Sequence, residues 1–265
     1  MLTPEYHVSH GRAQALTRFH IVVMLAVAMA FGSVACGSVA WLIIVMVAFF
    51  AIVGLGVAFP QLNFFGKFIC RGKTSQCCVA LTFDDGPDEN STPALLDLLR
   101  EVKIEAAFFC VGKKVEANSE LAAQIVHEGH LLGNHSYVHS NFTNFFSAAR
   151  LRDELQRTQA MIEKTSGVAP KFFRPPMGLS NPSTFCAARR LDLEVIGWTI
   201  RSLDTITTDP EKIVARIAQR LQPGAIILLH DGNIPAARLV LTVKLLLATL
   251  CERGYDVVRL DKILE

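Results

Sequence analysis

No charged side chain occurs between Ile21 and Gly66. Such a stretch is not built for water, since one bilayer span needs only about 20 apolar residues. Other absences narrow the function. There is no C-x-x-C pair to build a structural zinc site. There is no basic stripe with interleaved aromatics, and a net charge of +2 with a pI near 8.2 offers no electrostatic footprint for nucleic acid. HExxH is missing, which argues against a zincin-type peptidase. Neither an internal repeat nor a low-complexity segment is present.

The 265 residues have a mean hydropathy of +0.35, and the apolar excess sits in that one stretch. It is long enough for two spans, Phe19–Ala35 and Val39–Phe59, with Gly32, Ser33, Gly37 and Ser38 marking the break. A cleaved signal peptide would use Ser33-Val34-Ala35, but the next apolar run would still anchor the product. Cys36 lacks the large aliphatic residue three positions earlier that a lipoprotein site needs. Arg12 and Arg18 precede the stretch, and Lys67, Arg71 and Lys73 follow it. These flanks favour a helical hairpin with both ends cytoplasmic over a single span with an outward-facing domain. The expected division is a tail at 1–18, a membrane anchor at 19–60, a connector at 61–76 and a catalytic domain at 77–265 facing the cytoplasm. Six of the seven cysteines, Cys70, Cys77, Cys78, Cys110, Cys186 and Cys251, lie after the anchor without a disulfide-like pattern. Scattered thiols suit a reducing compartment.

Past the connector, strand-like and helix-like runs alternate. Strands are expected at 78–83, 106–111, 131–133, 171–173, 193–198, 225–229 and 256–260. Amphipathic helices are expected at 93–102, 119–128, 148–166, 182–190, 210–221 and 236–253, with Thr92, Asn118 and Asp209 as N-caps. Alternation of this kind predicts an α/β fold with a parallel sheet, either a barrel just short of eight strands or an open doubly wound sheet. Polar residues follow the strands: Asp84 and Asp85, His135, Arg174, Asp204 and His230. In βα barrels the active site is assembled at that end.

Two motifs carry the chemistry. TFDDGP at Thr82–Pro87 sets adjacent carboxylates after a buried strand, and HSYVH sets His135 and His139 four residues apart. On a helical turn such a pair shares one face. Two imidazoles and one carboxylate make a catalytic zinc set with an open position, and the spare carboxylate is placed to act as a base. Arg174, between aromatics and prolines in FFRPPMG, is suited to clamp a carboxylate. His230, ending a buried strand, is suited to protonate a leaving nitrogen, with Asp204 orienting its ring.

TFDDGP, HSYVH, RPPMG, WTIRSLD and LLHDG, in this order, resemble the five motifs of the polysaccharide deacetylases, carbohydrate esterase family 4, with its NodB-like homology domain. The resemblance covers about residues 78–260 and implies a distorted (β/α)7 barrel behind the transmembrane hairpin. It implies Asp84 as general base, and Asp85, His135 and His139 as ligands of a divalent metal, zinc by default, with cobalt, manganese or nickel acceptable. It further implies Arg174 holding Asp84, His230 as general acid with Asp204 behind it, and Met177, Trp198 and Leu228 as substrate contacts. Met177 stands where tyrosine is frequent, and Arg201 and Thr205 where many members carry aspartate and tryptophan. The activity implied is removal of an N-acetyl group from an amino sugar of a polysaccharide, peptidoglycan or glycolipid. The alternatives are a cytoplasmic-face deacylase of a polyprenyl-linked sugar and a catalytically silent sugar-binding scaffold. The expected partners are thus the N-acylated glycan or glycolipid and the membrane, not nucleic acid.

Overall fold

The structure is a computed structural model that describes residues 16–265. Most of the expected tail, Arg12 included, lies outside the described residues. The described residues form two compact units, divided between Leu55 and Gly56.

The first unit holds helix α1 (Arg18–Ala35) and most of α2 (Val39–Ala58). Gly37, at φ 66°, makes the turn between them, where Cys36, Gly37 and Ser38 donate backbone bonds to Gly32, Val34 and Ser33. Both helices are long and apolar enough to cross a membrane, and their large side chains, Met24, Phe31, Trp41 and Phe50 among them, are exposed.

The second unit alternates strands and helices. In chain order it runs β1 (Cys78–Asp84), α3 (Thr92–Val102), β2 (Ala107–Cys110), α4 (Gly112–Ala117), α5 (Ser119–His127) and β3 (Leu131–Asn134). It continues with α6 (Ala148–Ser166), β4 (Phe172–Phe173), α7 (Pro182–Arg190), β5 (Glu194–Val195), β6 (Ile200–Arg201) and α8 (Pro210–Ala218). It closes with β7 (Ala225–His230), α9 (Ala236–Glu252), β8 (Asp256–Val257) and α10 (Leu260–Leu264). All strand pairs are parallel, in the order β5-β4-β3-β2-β1-β7-β6 with β8 on β1. The fold is the distorted (β/α)7 barrel.

Period-two alternation sorts each strand into two cores. Val79, Leu81 and Phe83 join Phe108, Ile227 and Leu229 beneath the helices. Ala80, with Ala107, Phe109, Ile196 and Ile226, fills the interior, and Leu260 and Ile263 of α10 join this second core. Thr82 and Asp84 continue that inward row, and register sets Asp84 beside His230 and Thr82 beside Leu228.

Several expectations are corrected. The run 193–198 is interrupted after Val195, and the two-residue β6 follows it, because the chain crosses an open seam there. The run 256–260 is a strand only to Val257, and Leu260 already starts α10. Helix α4 was not expected. Of the proposed caps, Asp209 accepts from Glu211 and Lys212, whereas Asn118 makes no side-chain cap and Thr92 is the first residue of its helix.

Residues 63–72 are built into the barrel. Ile69 donates to Val195 O (2.9 Å) and accepts from Gly197 N (2.9 Å), and Gly72 donates to Gly224 O (2.8 Å). The segment thus bridges the seam between β5 and β7, and buried Phe68 meets Phe185 edge-on at 5.3 Å. Phe68→Ala is therefore expected to destabilise the barrel by about 3–5 kcal/mol, read by urea unfolding of the full chain in micelles. A change below about 0.5 kcal/mol, the range of surface substitutions, would make 63–72 a passive linker.

Candidate active site

At the C-terminal end of the strands a cleft of about 170 Å³ is lined by Asp84, Asp85, His135, His139, Met177, Trp198, Leu228 and His230. Arg174 and Asp204 support it from behind. All ten expected site residues therefore come together.

Arg174, directly after β4, is 0% exposed and lies inside the barrel. Its Nη1 donates to Asp84 Oδ1 (2.7 Å) and Thr82 Oγ1 (2.9 Å), and Nη2 to Gly197 O (2.9 Å). The guanidinium also stacks 4.1 Å from the Phe109 ring centre. Burial lowers the Arg174 pKa, and Asp84 opposes that shift. The Arg174 carbonyl accepts from His135 Nδ1 at 2.7 Å, which leaves the His135 Nε2 lone pair facing the cleft.

His135 and His139 occupy a loop, not the helical turn that their spacing suggested. Ser136 (φ 64°) and His139 (φ 49°) take left-handed backbone, which folds the loop back and brings the rings to 4.9 Å. Asp85, also left-handed at φ 72°, offers Oδ1 at 3.4 Å from His135 Nε2 and 3.2 Å from His139 Nε2. Among the described residues, that buried oxygen has no hydrogen-bond donor. One ligand atom from each of the three lies within 4.8 Å of the others. Metal–ligand bonds of about 2.1 Å require separations of this size, so the donor set fits a divalent ion. Burial pushes the Asp85 pKa up, but the two imidazoles hold it below the usual carboxylate range. His135 is raised, burial being outweighed by Asp84 and Asp85, whereas burial and then His135 lower His139.

Across the cleft, His230 Nδ1 donates to Asp204 Oδ1 (2.8 Å) and the His230 N–H donates to Asp204 Oδ2 (2.8 Å). Ser202 Oγ adds a bond to Oδ1 (2.8 Å). Both bonds from one residue fix the ring, so Nε2 points away from Asp204. Burial alone would lower the His230 pKa, yet the Asp204 hydrogen bond raises it.

This arrangement of carboxylates, imidazoles and a buried guanidinium has relatives. A peptidoglycan-N-acetylglucosamine deacetylase of Bacillus cereus is 35% identical over 188 residues, 70% of this chain and 87% of that protein. The polysaccharide deacetylase family profile matches residues 71–196. The chain belongs to the polysaccharide deacetylase family. A peptidoglycan-N-acetylglucosamine deacetylase of Listeria monocytogenes is 31% identical, but this chain covers only 38% of its length. Among solved structures, a CE4 family pseudoenzyme from Bacillus anthracis superposes with a TM-score of 0.70 at 29% identity, covering 75% of this chain and 69% of that one. A peptidoglycan N-acetylglucosamine deacetylase in complex with 4-naphthalen-1-yl-N-oxidanyl-benzamide gives 0.70 at 28%, covering 74% and 91%.

Three contributors to this polysaccharide deacetylase site escaped the sequence reading. Thr82 links Arg174 to the Ile227 carbonyl, to which its hydroxyl donates at 2.8 Å. The Gly197 carbonyl holds Nη2. Asp231, 0% exposed, lies under the Asp84–Gly86 turn, where its N–H donates to Asp84 O and its Oδ2 accepts from Thr92 Oγ1 (2.6 Å). Burial pushes Asp231 up to about 7. The only sequence signal was the HDG step directly after a buried strand. A Cβ on Gly86 would stand 2.2 Å from Asp231 Oδ2, so that turn requires glycine.

Arg174→Met is expected to cost about 3–5 kcal/mol, because Asp84 is left buried without its counter-charge. Adding Asp84→Asn should recover part of that loss in urea unfolding. A double variant no more stable than Arg174→Met would show that the pair is not the source of the cost.

Proposed function

We propose that the chain is a membrane-anchored, metal-dependent N-deacetylase acting on an N-acylated amino sugar of a glycan or glycolipid. The observation that carries this is the opposition, across one small cleft, of the Arg174-bound Asp84 and the Asp204-bound His230, with the Asp85/His135/His139 cluster beside them. The named activities of the Bacillus and Listeria relatives support it. Residues 19–60 would be the anchor, a hairpin returning the chain to the cytoplasmic side, and 77–265 the catalytic domain.

Asp85, His135 and His139 would hold the divalent ion, zinc by default. When bound, that ion supplies Lewis acidity toward the amide carbonyl. Asp84, kept ionised and aimed by Arg174, takes a proton from the attacking water. The backbone N–H of Met177, on the β4 loop, faces the oxyanion. His230 gives its Nε2 proton to the departing amine, while Asp204 stabilises the imidazolium through Nδ1. Trp198 and Leu228 form the apolar wall for the acyl methyl.

A silent sugar-binding scaffold is the second reading, favoured by the likeness to a pseudoenzyme. The full acid, base and ligand set weighs against it.

Acetate release from triacetylchitotriose, abolished by chelation and restored by zinc, is the expected result for the full chain. Asp85→Ala, His135→Ala and His139→Ala should lose bound metal and turnover together. Asp84→Asn should keep the metal and lose about 10²–10⁴-fold in rate. Metal content unchanged in all three ligand variants, or near-normal turnover of Asp84→Asn, contradicts these roles.

If His230 is the acid, the rate falls as pH rises through its pKa in the complex. Asp204 raises that pKa, so Asp204→Asn should move the alkaline limb to lower pH without metal loss. An alkaline limb identical in wild type, Asp204→Asn and His230→Ala would assign it to another group.

A further inference from the structure

Four large apolar side chains stand in solvent at the catalytic end of the barrel. Phe142 (68% exposed) and Phe145 (84%) lie on the loop after β3, Met177 (42%) on the loop after β4, and Ile206 (75%) on the loop after β6. Exposed apolar residues scattered singly are ordinary, and Val102, Val168 and Leu241 are of that kind, one each on separate elements. The rim residues differ because three loops, after β3 and β4 on one side of the barrel's seam and after β6 on the other, deliver them to the end where the cleft opens. The seam is also where the chain enters the barrel. Phe68 packs on Phe185 in the first turn of α7, and Ile69 and Gly72 bridge the seam.

We propose that this part of the rim is a bilayer-contact surface, and that the cleft takes its amino sugar from a lipid carrier in that bilayer. This rests on the deacetylase reading and on the anchor reading of α1 and α2. Protruding aromatic and aliphatic side chains from separate loops suit the headgroup boundary, where each enters lipid without a matching protein pocket. Charge agrees with the occupant. Arg201 lines the cleft, makes no ion pair among the described residues, and lies 5.9 Å from the Trp198 ring centre. A guanidinium so placed is suited to the phosphate that joins a sugar to its lipid.

Two measurements on the full chain in phosphatidylcholine–phosphatidylglycerol vesicles test this, the first independent of activity. In a Trp41→Phe background, brominated lipid should quench the indole of Phe145→Trp but not that of Val168→Trp, with buried Trp198 common to both. Equal quenching, or none, overturns the contact surface. The second compares wild type with a Phe142→Ser, Phe145→Ser, Ile206→Ser triple variant. Turnover of triacetylchitotriose should be unchanged, while kcat/KM for N-acetylglucosamine on polyprenyl diphosphate should fall at least about tenfold, the equivalent of one lost apolar anchor. Equal effects on both substrates overturn the lipid-carrier substrate. A wild type inactive on both removes the deacetylase reading and the carrier with it, and the quenching result then decides the surface alone.

Discussion

A guanidinium buried inside the barrel is the constraint around which the site is organised. Removing a cation from water costs several kcal/mol even after relaxation. Arg174 offsets this with the Asp84 carboxylate, the Thr82 hydroxyl, the Gly197 carbonyl and the Phe109 ring. The same residue orients His135 through its backbone carbonyl. One position therefore fixes both the carboxylate proposed as base and a ligand of the candidate metal cluster. The β1–β7 register matters as much, since a one-residue slip would turn Asp84 toward the helices.

Strand alternation would send two adjacent aspartates to opposite faces. The chain overcomes this with backbone strain. At φ 72°, Asp85 breaks the alternation, so both carboxylates reach one cleft. Ser136, His139, Met177 and Leu203 are left-handed as well, all in loops at this end. Such conformations cost about 1–3 kcal/mol each and persist only where their surroundings dictate them. Asp231 and the glycines supply that dictation: Gly232 admits no Cβ against the Asp85 carbonyl, and Gly178 none against Trp198.

What was legible in the sequence follows from these facts. Long strands and amphipathic helices announce themselves by period, so β1, β7, α6 and α9 were anticipated closely. Residues with ionisable groups at strand ends stood out by position, and every one either lines the cleft or holds a residue that does. The HSYVH spacing misled in conformation but not in outcome, since a strained loop brought its imidazoles as near as a helical turn would. Two-residue strands such as β6 hold too few side chains for any period. The seam segment 63–72 read as a connector because its bonds are to backbone atoms far away in sequence. Asp231 and Thr82 act by holding other residues, a role that leaves little local pattern.

The size of the cleft separates chemistry from recognition. Sites that enclose a whole ligand run to about 300–1,000 Å³, whereas this one holds about 170 Å³. It has room for an acyl group and the edge of one sugar ring, and the rest of any glycan must lie across the rim. Arg174 ties Asp84 and His135 together, and Asp204 holds His230, so altering one of these buried residues disturbs its partners. The side chains of Met177, Arg201 and Thr205 make no hydrogen bond or ion pair among the described residues and line the opening. The departures from the family pattern fall on these three. Under the proposed function, substrate choice is thus free to change at the rim while the residues proposed as acid and base stay fixed inside the barrel.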